Sequence, residues 1–403
     1  MEWGIGMDVV IVANFCMDFS KYENGRFTYL ARLLSKSHDV ELVTSRFSHA
    51  SKKQRLDEDY RKDQYQVTLI DEPGYARNIS LRRFYSHYAW GKNVLRYLKS
   101  RKKPDVVYCA VPSFSGAARV GSYCRKNGIR FVVDIQDIWP EAFKMILNVP
   151  VLSDLLFLPQ TLLANAVYRK ADVICAVSQT YADRGMRRNK KCRESRVVYL
   201  GTDLRVFDES AAQEPLVKKP EGQIWLGYCG SLGKSYDIPC VIRALEILKN
   251  RGREDVHLIV MGDGENRQAY QSLATEKGVN VLFAGRLAYG QMCATLAQCD
   301  ISVNPITSGS AGSIINKHGD YAAVGLPVLN TQDSMEYRTL VVAYEMGLNC
   351  KNGDAADLAQ KLERLLQDPA LCRKMGQNAR RCAEERFDRR HTYPALVEAI
   401  EGK

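Results

Sequence analysis

The sequence has no C-x-x-C pair and no cluster of cysteine with histidine, although it contains 12 cysteines and 6 histidines in 403 residues. Several cysteines stand instead in apolar runs, as Cys109, Cys175 and Cys229 do. This distribution argues against a disulfide framework and offers no zinc-binding spacing. It predicts reduced, buried thiols in a cytosolic protein.

Two phosphate-binding fingerprints are missing as well. The first apolar run is followed by ANFCMDFSKYENGRF, which contains no G-x-G-x-x-G, and no G-x-x-x-x-G-K-[ST] occurs in the chain. Dinucleotide-binding and P-loop functions are therefore weak interpretations. The N-terminus shows no basic segment followed by an apolar stretch, so no signal peptide is predicted. The most apolar long segment, 149–168, is interrupted by Asp154 and Pro159 and predicts no membrane span.

Positive charge is concentrated in one half of the chain. Residues 1–200 contain 33 Lys and Arg against 20 Asp and Glu, whereas the remaining residues contain 24 against 26. The segment 80–103 carries eight basic residues, five aromatic residues and no acid. A helix of this composition can lie on an anionic membrane, which we expect here; an ordinary helix that covers a sheet is the alternative. Nucleic acid is a poorer partner, because no recognition module accompanies the charge.

Short apolar, β-branched runs recur, each followed by a helical pattern. They are 8–14, 39–45, 105–111, 130–135, 172–178, 196–200, 225–230, 257–262, 280–285, 301–305 and 327–331. The alternation predicts an α/β fold of two doubly wound, Rossmann-like domains. The predicted boundaries are an N-terminal domain at 1–207, a linker at 208–223, a C-terminal domain at 224–385, and a C-terminal helix at 386–403 that could pack back on the first domain.

Ligands of open α/β sheets bind at the carboxyl ends of the strands, so the loops there are the candidate sites. The loop GSLGKSYDIP, which begins at Gly230, combines Gly233 and Lys234 with a helix that should start near Asp237. A glycine-rich loop, a lysine and a helix N-terminus suit a phosphate. A plain turn with a solvated lysine is the alternative.

Two further loops follow strands of the second half. MGDGE places Asp263 and Gly264 at a tight corner, and GRL places Arg286 directly after a strand. A guanidinium there can meet phosphate with two parallel donors. The alternative for Arg286 is a surface arginine that caps a loop.

The stretch SGSAGSIINKHGDYAAVGLPVL, residues 308–329, is the most specific motif. Its small residues at 308–313 can wrap an anion, and Lys317 and Asp320 are three apart on one helical face. The lysine can meet phosphate, while the carboxylate can accept two hydrogen bonds from a vicinal diol. The segment therefore predicts a site for the ribose and diphosphate of a nucleotide; a surface Lys–Asp pair is the alternative.

The order of CGSLGK, GDGE, GRL, DISVNP and KHGDYAAVGLPVLN resembles the retaining glycosyltransferases of family 4. The first half agrees, because ENGRFTYLARLLSKSHDVELVTS resembles their first loop and helix. VVDIQDIWPE resembles the Asp-Leu-Trp-Pro-Glu segment of a subgroup that builds bacterial surface polysaccharides. The resemblance covers roughly residues 8–400 and implies the GT-B fold, in which two Rossmann-like domains face a cleft.

The resemblance also implies donor-binding residues. Asp320 stands where the second Glu of the family's E-x7-E binds the ribose hydroxyls, and Gly312 stands where the first Glu would be. The backbone amides of Gly312, Ser313 and Ile314 would serve the sugar or the diphosphate. A further departure is Ser231, which replaces an arginine common in the family. The remaining expected donor-binding residues are Gly230, Ser231 itself, Gly233, Asp263 and Gly264.

Catalytic and acceptor-side residues follow from the same resemblance. Asp137 falls near a position that faces the reacting sugar, and an N-cap ahead of Trp139 is its alternative. Asn24 and Gly25, in the first loop, are expected on the acceptor side. The leaving diphosphate would be neutralised by a set of three cations, with neither a metal nor another cofactor. These cations are Lys234, Arg286 and Lys317.

The activity implied is a metal-independent retaining transfer of a hexosyl or N-acetylhexosaminyl group. The donor would be a nucleotide-diphosphate sugar, with UDP favoured by family habit. The acceptor would be lipid-linked or a growing surface polysaccharide, such as capsule or O-antigen. The enzyme would be cytoplasmic and peripheral on the inner face of the membrane. Two alternatives stay open: a sugar-nucleotide 2-epimerase on the same fold, and a non-catalytic nucleotide-sugar-binding protein.

Overall fold

A computed structural model describes residues 6–16, 25–56, 64–78, 80–141, 150–310 and 312–403. The chain divides into two compact units. The first comprises Met1–Val198 together with Tyr393–Lys403, and the second comprises Tyr199–Thr392. Each unit contains a parallel sheet with helices between its strands, so the prediction of two doubly wound α/β domains is confirmed.

The first unit contains a seven-stranded sheet whose neighbouring strands are all parallel. In spatial order the strands are Gln66–Ile70, Asp39–Ser45, Asp8–Ala13, Val106–Val111, Arg130–Ile135, Val173–Ala176 and Ser195–Val197. A separate antiparallel ribbon pairs Phe47–Ser48 with Lys53–Gln54. The strand Asp8–Ala13 is buried along its whole length and Val106–Val111 at all residues but Ala110, which explains their continuous apolar runs.

The helices of the first unit cover this sheet. They are Arg26–Leu34, Leu81–Ser100, Phe114–Asn127, Pro150–Leu156, Leu158–Lys170, Gln179–Met186 and Pro394–Glu401. The last of these comes from the far end of the chain. Its residues Leu396 and Ile400 are 0% exposed and join one core cluster with Ile11 and Leu42 of the sheet. The C-terminal helix is therefore part of the first unit's core.

The second unit contains a six-stranded parallel sheet. In spatial order its strands are Val281–Gly285, Val256–Met261, Ile224–Cys229, Ile301–Asn304, Val328–Asn330 and Gly347–Asn349. Its helices are Leu204–Ala211, Ile238–Lys249, Arg267–Lys277, Tyr289–Leu296, Asn316–Ala323, Met335–Ala343, Ala355–Gln367, Pro369–Cys382 and Arg389–Thr392, with a π-helical turn at Ala383–Phe387. Across the described parts of both units, no helix combines the length and apolar character needed to cross a bilayer.

Element boundaries differ from the sequence-based expectation in a few places. Each of the eleven apolar runs overlaps a strand, but the edge strands Gln66–Ile70 and Gly347–Asn349 were not predicted. The helix Leu204–Ala211 extends into the expected linker 208–223, and the second unit begins earlier, at Tyr199. Residues 386–403 do not form one helix, because the backbone is extended at Asp388 and a new helix starts at Pro394.

A buried ion pair joins four parts of the first unit. The Arg26 guanidinium donates to both carboxylate oxygens of Asp134, from Nε at 3.0 Å and from Nη2 at 3.1 Å. Its Nη1 donates to the carbonyl of Val198 at 3.0 Å, and the guanidinium lies 5.1 Å from the centre of the Tyr393 ring. One side chain thus connects the first helix, a central strand, the last strand region and the C-terminal segment.

We expect Asp134→Ala to lower the free energy of unfolding by about 3–5 kcal/mol, because it leaves a buried guanidinium without its counter-charge. The matched control is Asp71→Ala, which breaks an Arg46–Asp71 pair whose carboxylate is 79% exposed. An exposed pair contributes about 0–1 kcal/mol, so the control should change stability little. Equilibrium urea unfolding measures both values. Equal losses for the two variants would contradict this role for the buried pair.

Candidate functional site

The loops that follow the central strands of the second unit lie at one edge of its sheet. Ile224–Cys229 leads into the loop that begins at Gly230, and its neighbour Val256–Met261 leads into the loop that contains Asp263. Because the two strands are parallel and adjacent, the loops meet. Leu232 N donates to the carbonyl of Asp263 at 3.0 Å. The structure therefore brings together the two glycine-containing motifs that the sequence indicated.

The glycines of these motifs allow the two loops to touch through their backbones. A Cβ on Gly262 would lie 1.7 Å from the carbonyl oxygen of Gly230, and one on Gly264 would lie 2.7 Å from the carbonyl carbon of Leu232. Gly230 itself has φ of +143°, which favours glycine. A Cβ on Gly233 would meet nothing within 4 Å, so no steric reason requires glycine there.

Lys317 is the central cation of this edge. It lies on the helix Asn316–Ala323, is 7% exposed, and its buried Nζ has no hydrogen-bond partner among the described residues. The ammonium sits 4.2 Å and 4.0 Å from the ring centres of Tyr228 and Tyr236. A Cβ on Gly230 would lie 2.6 Å from Nζ, so the glycine leaves the space that the ammonium faces.

Burial has a direct effect on the charge of Lys317. Removal from water lowers its pKa to about 7, and Cys229 opposes this shift only weakly because its own thiol has its pKa raised by burial to about 12. Two aromatic faces attract the ammonium but supply no hydrogen-bond acceptor. An anion that enters beside Gly230 would restore the full positive charge. The arrangement suits a phosphate oxygen in that space.

Asp320 lies one turn further along the same helix. Its Oδ1 accepts hydrogen bonds from Thr202 Oγ1 and from Tyr289 OH, both at 3.0 Å. Burial raises its pKa to about 6, against the opposing effect of these two donors. Both donors use Oδ1, so Oδ2 remains the acceptor that a ligand diol could use. Lys317 and Asp320 are not the solvated surface pair of the alternative interpretation, since both are buried.

A buried network of side-chain amides supports the loop before this helix, and sequence reasoning missed it. Asn304, Asn330 and Asn349 stand opposite one another at the ends of three neighbouring strands. Asn304 Nδ2 donates to Asn330 Oδ1 at 2.9 Å, and Asn330 Nδ2 donates to Asn349 Oδ1 at 2.8 Å. Gln332 Nε2 donates to the Ser313 carbonyl at 2.7 Å. The recurring Asn at three strand ends was the available signal.

Ser313 and Ile314, both predicted donor-binding residues, are buried beside this network at 5% and 1% exposure. Gly312 is different, because a Cβ there would meet nothing within 4 Å. The local backbone would therefore accept a larger side chain where the family pattern has a glutamate. The departure at Gly312 leaves open space at this point of the loop.

His318, between Lys317 and Asp320 in sequence, is a structural residue. Its ring is 0% exposed and stacks on the Tyr337 ring at 3.5 Å. Nδ1 accepts a hydrogen bond from Ile315 N at 3.2 Å, and Nε2 lies 3.0 Å from Asn304 Nδ2. Burial holds the pKa of His318 well below its usual range, so the imidazole is neutral. This part of the site offers the epimerase alternative no histidine that could reach a sugar.

The other predicted cations lie nearer to solvent. Lys234 and Ser231 are exposed in the first glycine loop, where the Lys234 carbonyl accepts from Thr307 Oγ1 at 3.1 Å. Arg286 is exposed after the edge strand Val281–Gly285, two strands away from the Gly230 loop. Asp263 is exposed and accepts from Gly264 N at 2.9 Å, which stabilises the turn. The structure therefore brings Gly230, Lys317 and Asp320 together but leaves Arg286 apart.

Three predicted residues belong to the first unit. Asp137 accepts hydrogen bonds from Ile138 N at 2.8 Å and from Trp139 Nε1 at 3.0 Å, and burial raises its pKa. Gly25 precedes the helix Arg26–Leu34, and its carbonyl accepts from Thr28 Oγ1 at 3.1 Å. Asn24 lies outside the described residues. Among the described residues, no group of three or more His, Cys, Asp or Glu side chains could hold a metal ion.

Two family profiles match this chain, one over each half of the sequence. The profile described as Glycosyltransferase Family 4 matches residues 26–206, and the profile described as Glycosyl transferases group 1 matches residues 210–382. A relative by sequence is a GDP-mannose-dependent monoacylated alpha-(1-6)-phosphatidylinositol monomannoside mannosyltransferase of Corynebacterium glutamicum. It is 32% identical over 128 residues, or 31% of this chain and 33% of the relative. The curated relatives are matched over 33% to 57% of their own lengths.

Solved structures share the fold. A sucrose-phosphate synthase from Thermosynechococcus elongatus superposes with a TM-score of 0.75 at 15% identity, over 98% of each chain. HepE from Anabaena, solved in complex with UDP, superposes with a TM-score of 0.70 at 16% identity, over 98% of this chain and 100% of HepE. At these identities the likeness concerns the fold alone.

We expect Lys317→Met to remove a pH-dependent part of the stability. The unfolded chain binds a proton on Lys317 up to pH about 10.4, whereas the folded chain loses it near pH 7. The free energy of unfolding of the unmodified protein should therefore rise between pH 7 and 10, by up to about 4 kcal/mol. Methionine has similar volume and no charge, so the variant should lack this rise.

Urea unfolding at pH 6, 8 and 10 measures the difference between the two proteins. The other titrating groups are common to both, so their effects cancel in the comparison. Parallel pH profiles would contradict a buried, unpaired ammonium at this position.

Proposed function

Because this chain belongs to the family 4 glycosyltransferases, we propose that it is a retaining enzyme that transfers a sugar from a nucleotide-diphosphate donor. The observation that carries this proposal is Lys317, a buried ammonium without a hydrogen-bond partner among the described residues, facing the space beside Gly230. A protein core tolerates such a group only at a loss of stability. A ligand anion that completes its coordination accounts for the arrangement.

The proposed reaction assigns the leaving group to the second unit. The bond between the anomeric carbon and the phosphate oxygen breaks, and its electron pair goes to the diphosphate. The acceptor hydroxyl forms the new bond, and its proton goes to an oxygen of that diphosphate. The enzyme's main task is to stabilise the charge that develops on the leaving group. Lys317 would do this in a water-poor setting, and the exposed Lys234 and Arg286 would act from the rim.

The nucleotide would lie with its ribose at Asp320. Oδ1 is occupied by Thr202 and Tyr289, which fixes the carboxylate and leaves Oδ2 for the ribose hydroxyls. HepE was solved with UDP-glucose, whereas the mannosyltransferase from C. glutamicum is named for GDP-mannose. UDP remains our favoured nucleotide. Titration with different nucleotides must identify which nucleobase the protein accepts.

A panel of UDP-, GDP- and ADP-sugars tests the proposal. Release of the nucleoside diphosphate, slow in water and faster with a glycan acceptor, is the expected result. Conversion of the donor to its C2 epimer without an acceptor would favour the epimerase. Binding of a donor with neither hydrolysis nor transfer would favour the non-catalytic binding protein.

We expect Asp320→Asn to weaken binding of the nucleoside diphosphate by about 1–3 kcal/mol, because a neutral amide loses charge-assisted hydrogen bonds. Calorimetric titration measures the affinity. The matched control is Asp255→Asn, whose carboxylate pairs with Arg253 just before the strand Val256–Met261, at the opposite edge of the sheet. An affinity that is unchanged in Asp320→Asn would contradict the ribose role.

The acceptor is proposed to be lipid-linked, with the first unit docked on the anionic inner face of the membrane. One stripe of the helix Leu81–Ser100 combines exposed apolar side chains near its start with exposed basic ones near its end. These are Leu81, Tyr85, Tyr88, Lys92, Arg96 and Lys99. Four exposed leucines lie on two other helices of the unit: Leu155, Leu156, Leu158 and Leu162. Basic and apolar groups together fit an interfacial surface.

Two of the eight basic residues in 80–103 take no part in that surface. Arg83 is 8% exposed, and Arg101 forms ion pairs with Asp8 and Glu41 at 2.9 Å and 3.0 Å. The remaining basic side chains are exposed and available to lipid headgroups.

We expect the triple substitution of Lys92, Arg96 and Lys99 by Gln to reduce sedimentation with phosphatidylglycerol vesicles. Each basic residue near such a surface contributes about 1 kcal/mol, and the attraction should fade with added salt. The control replaces the exposed Arg125, Lys126 and Lys191 by Gln, an equal change of charge. If unmodified protein stays in the supernatant at low salt, the membrane proposal fails.

A further inference from the structure

A cluster of aromatic and basic side chains lies at the carboxyl edge of the first unit's sheet. Phe15 follows the strand Asp8–Ala13, and Trp139 follows Arg130–Ile135. Arg83 and His87 lie in the first two turns of the helix Leu81–Ser100. The ring of His87 stacks on Trp139 at 5.8 Å and meets Phe15 edge-on at 5.4 Å. These side chains come from two loops and one helix and converge on one place.

Arg83 is the most unusual member. Its guanidinium carbon lies 4.3 Å from the centre of the Trp139 ring, 5.4 Å from that of Tyr75 and 5.6 Å from that of Phe15. The side chain is more than nine-tenths buried, and its Nε atom has no hydrogen-bond partner among the described residues. No ion pair of Arg83 is found in the described part of the chain. Burial, the largest influence, lowers the pKa of Arg83.

A second cation is held at the same place. Lys52 Nζ donates to Asn78 Oδ1 at 2.6 Å, and Arg83 Nη1 donates to the carbonyl of Asn78 at 2.8 Å. The Lys52 ammonium also lies 4.9 Å from the centre of the Tyr75 ring. Asn78, which carries no charge, thus accepts a hydrogen bond from each of the two cations. Burial and the charge of Arg83 lower the pKa of Lys52 to about 8.

The two nearby carboxylates are satisfied by other groups. Glu72 accepts from Asn14 Nδ2 at 2.8 Å, Ser45 Oγ at 2.6 Å and Ser86 Oγ at 2.7 Å. Asp137 accepts from Ile138 N and from the Trp139 indole. Both carboxylates still attract Arg83, which also shares a hydrogen bond with Tyr75, but neither forms an ion pair with Arg83 or Lys52 among the described residues. The cations keep donors available for a ligand.

Two imidazoles complete the cluster. His49 Nδ1 lies 2.6 Å from Tyr75 OH and 3.1 Å from Lys52 Nζ. His87 is 4% exposed, and its Nε2 has no hydrogen-bond partner among the described residues. Burial and then the neighbouring cations lower the pKa of His49 to about 4 and that of His87 to about 3. Both rings are neutral without a ligand and can donate to an anion through an N–H.

We propose that Arg83, Lys52, His49 and His87 form a second anion site, in the first unit, that binds a phosphate or diphosphate ester carried by the acceptor. A guanidinium fork fits phosphate and carboxylate equally. The additional ammonium and two imidazoles exceed what a single carboxylate requires, which favours a group with two or more negative charges. The inference rests on the proposed function for naming the acceptor as its source; anion binding itself can be measured without turnover.

The test uses full-length protein saturated with UDP, so that the second unit is occupied. The probes are inorganic pyrophosphate, farnesyl diphosphate below its critical micelle concentration, farnesol and glucuronate. Calorimetry gives the affinity, and the imidazole ¹⁵N resonances of His49 and His87 report whether the probe binds beside them. Both diphosphates should bind and shift these resonances, with tighter binding of farnesyl diphosphate if the source is a lipid. Equal affinity of the two would indicate a soluble phosphate instead.

Arg83→Gln should lower the affinity for both diphosphates by about ten-fold or more, and Lys52→Gln should lower it by roughly three-fold or more. The matched control, Arg125→Gln, removes the same charge from an exposed position of the helix Phe114–Asn127 and should leave the affinity unchanged. Lys52 is partly exposed, so its variant keeps the test decisive if Arg83→Gln fails to fold.

Three results would overturn the inference: no diphosphate binding in the presence of UDP, equal binding of farnesol, or equal affinity of Lys52→Gln and unmodified protein. Tighter binding of glucuronate than of pyrophosphate would do the same, because it would identify a carboxylate site. Failure of the glycosyltransferase proposal is separate, since donor turnover is measured without these probes.

Discussion

A single unbalanced charge organises the second unit's site. The Lys317 ammonium is removed from water, lies between two tyrosine rings and finds no acceptor among the described residues. Its neighbours make this possible: Gly230 provides space, and His318 is held neutral by burial. In a low-dielectric setting an anion gains far more from such a cation than it would in water. Burial of the Lys317 ammonium without an acceptor lowers the stability of the fold, and a bound anion would recover that free energy.

The supporting parts are rigid and polar. Gln332 donates a hydrogen bond to the carbonyl of Ser313 and accepts one from Asn304. Asn304 is the first of three asparagines that are paired across neighbouring strand ends. Close backbone contact between Gly262 and Gly230 supports the loop that Lys317 faces. Such networks help to specify position, and here Asn304 Oδ1 is the buried member without a hydrogen-bond partner among the described residues. Placement of the ligand would then depend on backbone and amide groups, and Lys317 would be the buried cation that meets its charge.

Much of this fold follows from the sequence. Continuous apolar runs identified eleven strands because central parallel strands are buried on both faces, while the edge strand Gln66–Ile70, half exposed, carries a weaker signal. The motif around Lys317 and Asp320 indicated the candidate donor site, and the structure buries both residues on one helix. Burial could not be predicted: Arg83 was one of eight basic residues in a segment without acids, and only the structure shows it enclosed by aromatic rings. The asparagine pairs depend on strand register, which single runs do not specify.

The most direct test of the account is the number of protons taken up when UDP binds. With a pKa of about 7, Lys317 is about nine-tenths neutral at pH 8 in the free protein. A diphosphate beside it should restore the ammonium. Calorimetric titration at pH 8 in two buffers of different ionisation enthalpy should therefore show uptake of nearly one proton, and the Lys317→Met protein should show none. No uptake, or equal uptake by both proteins, would contradict the account.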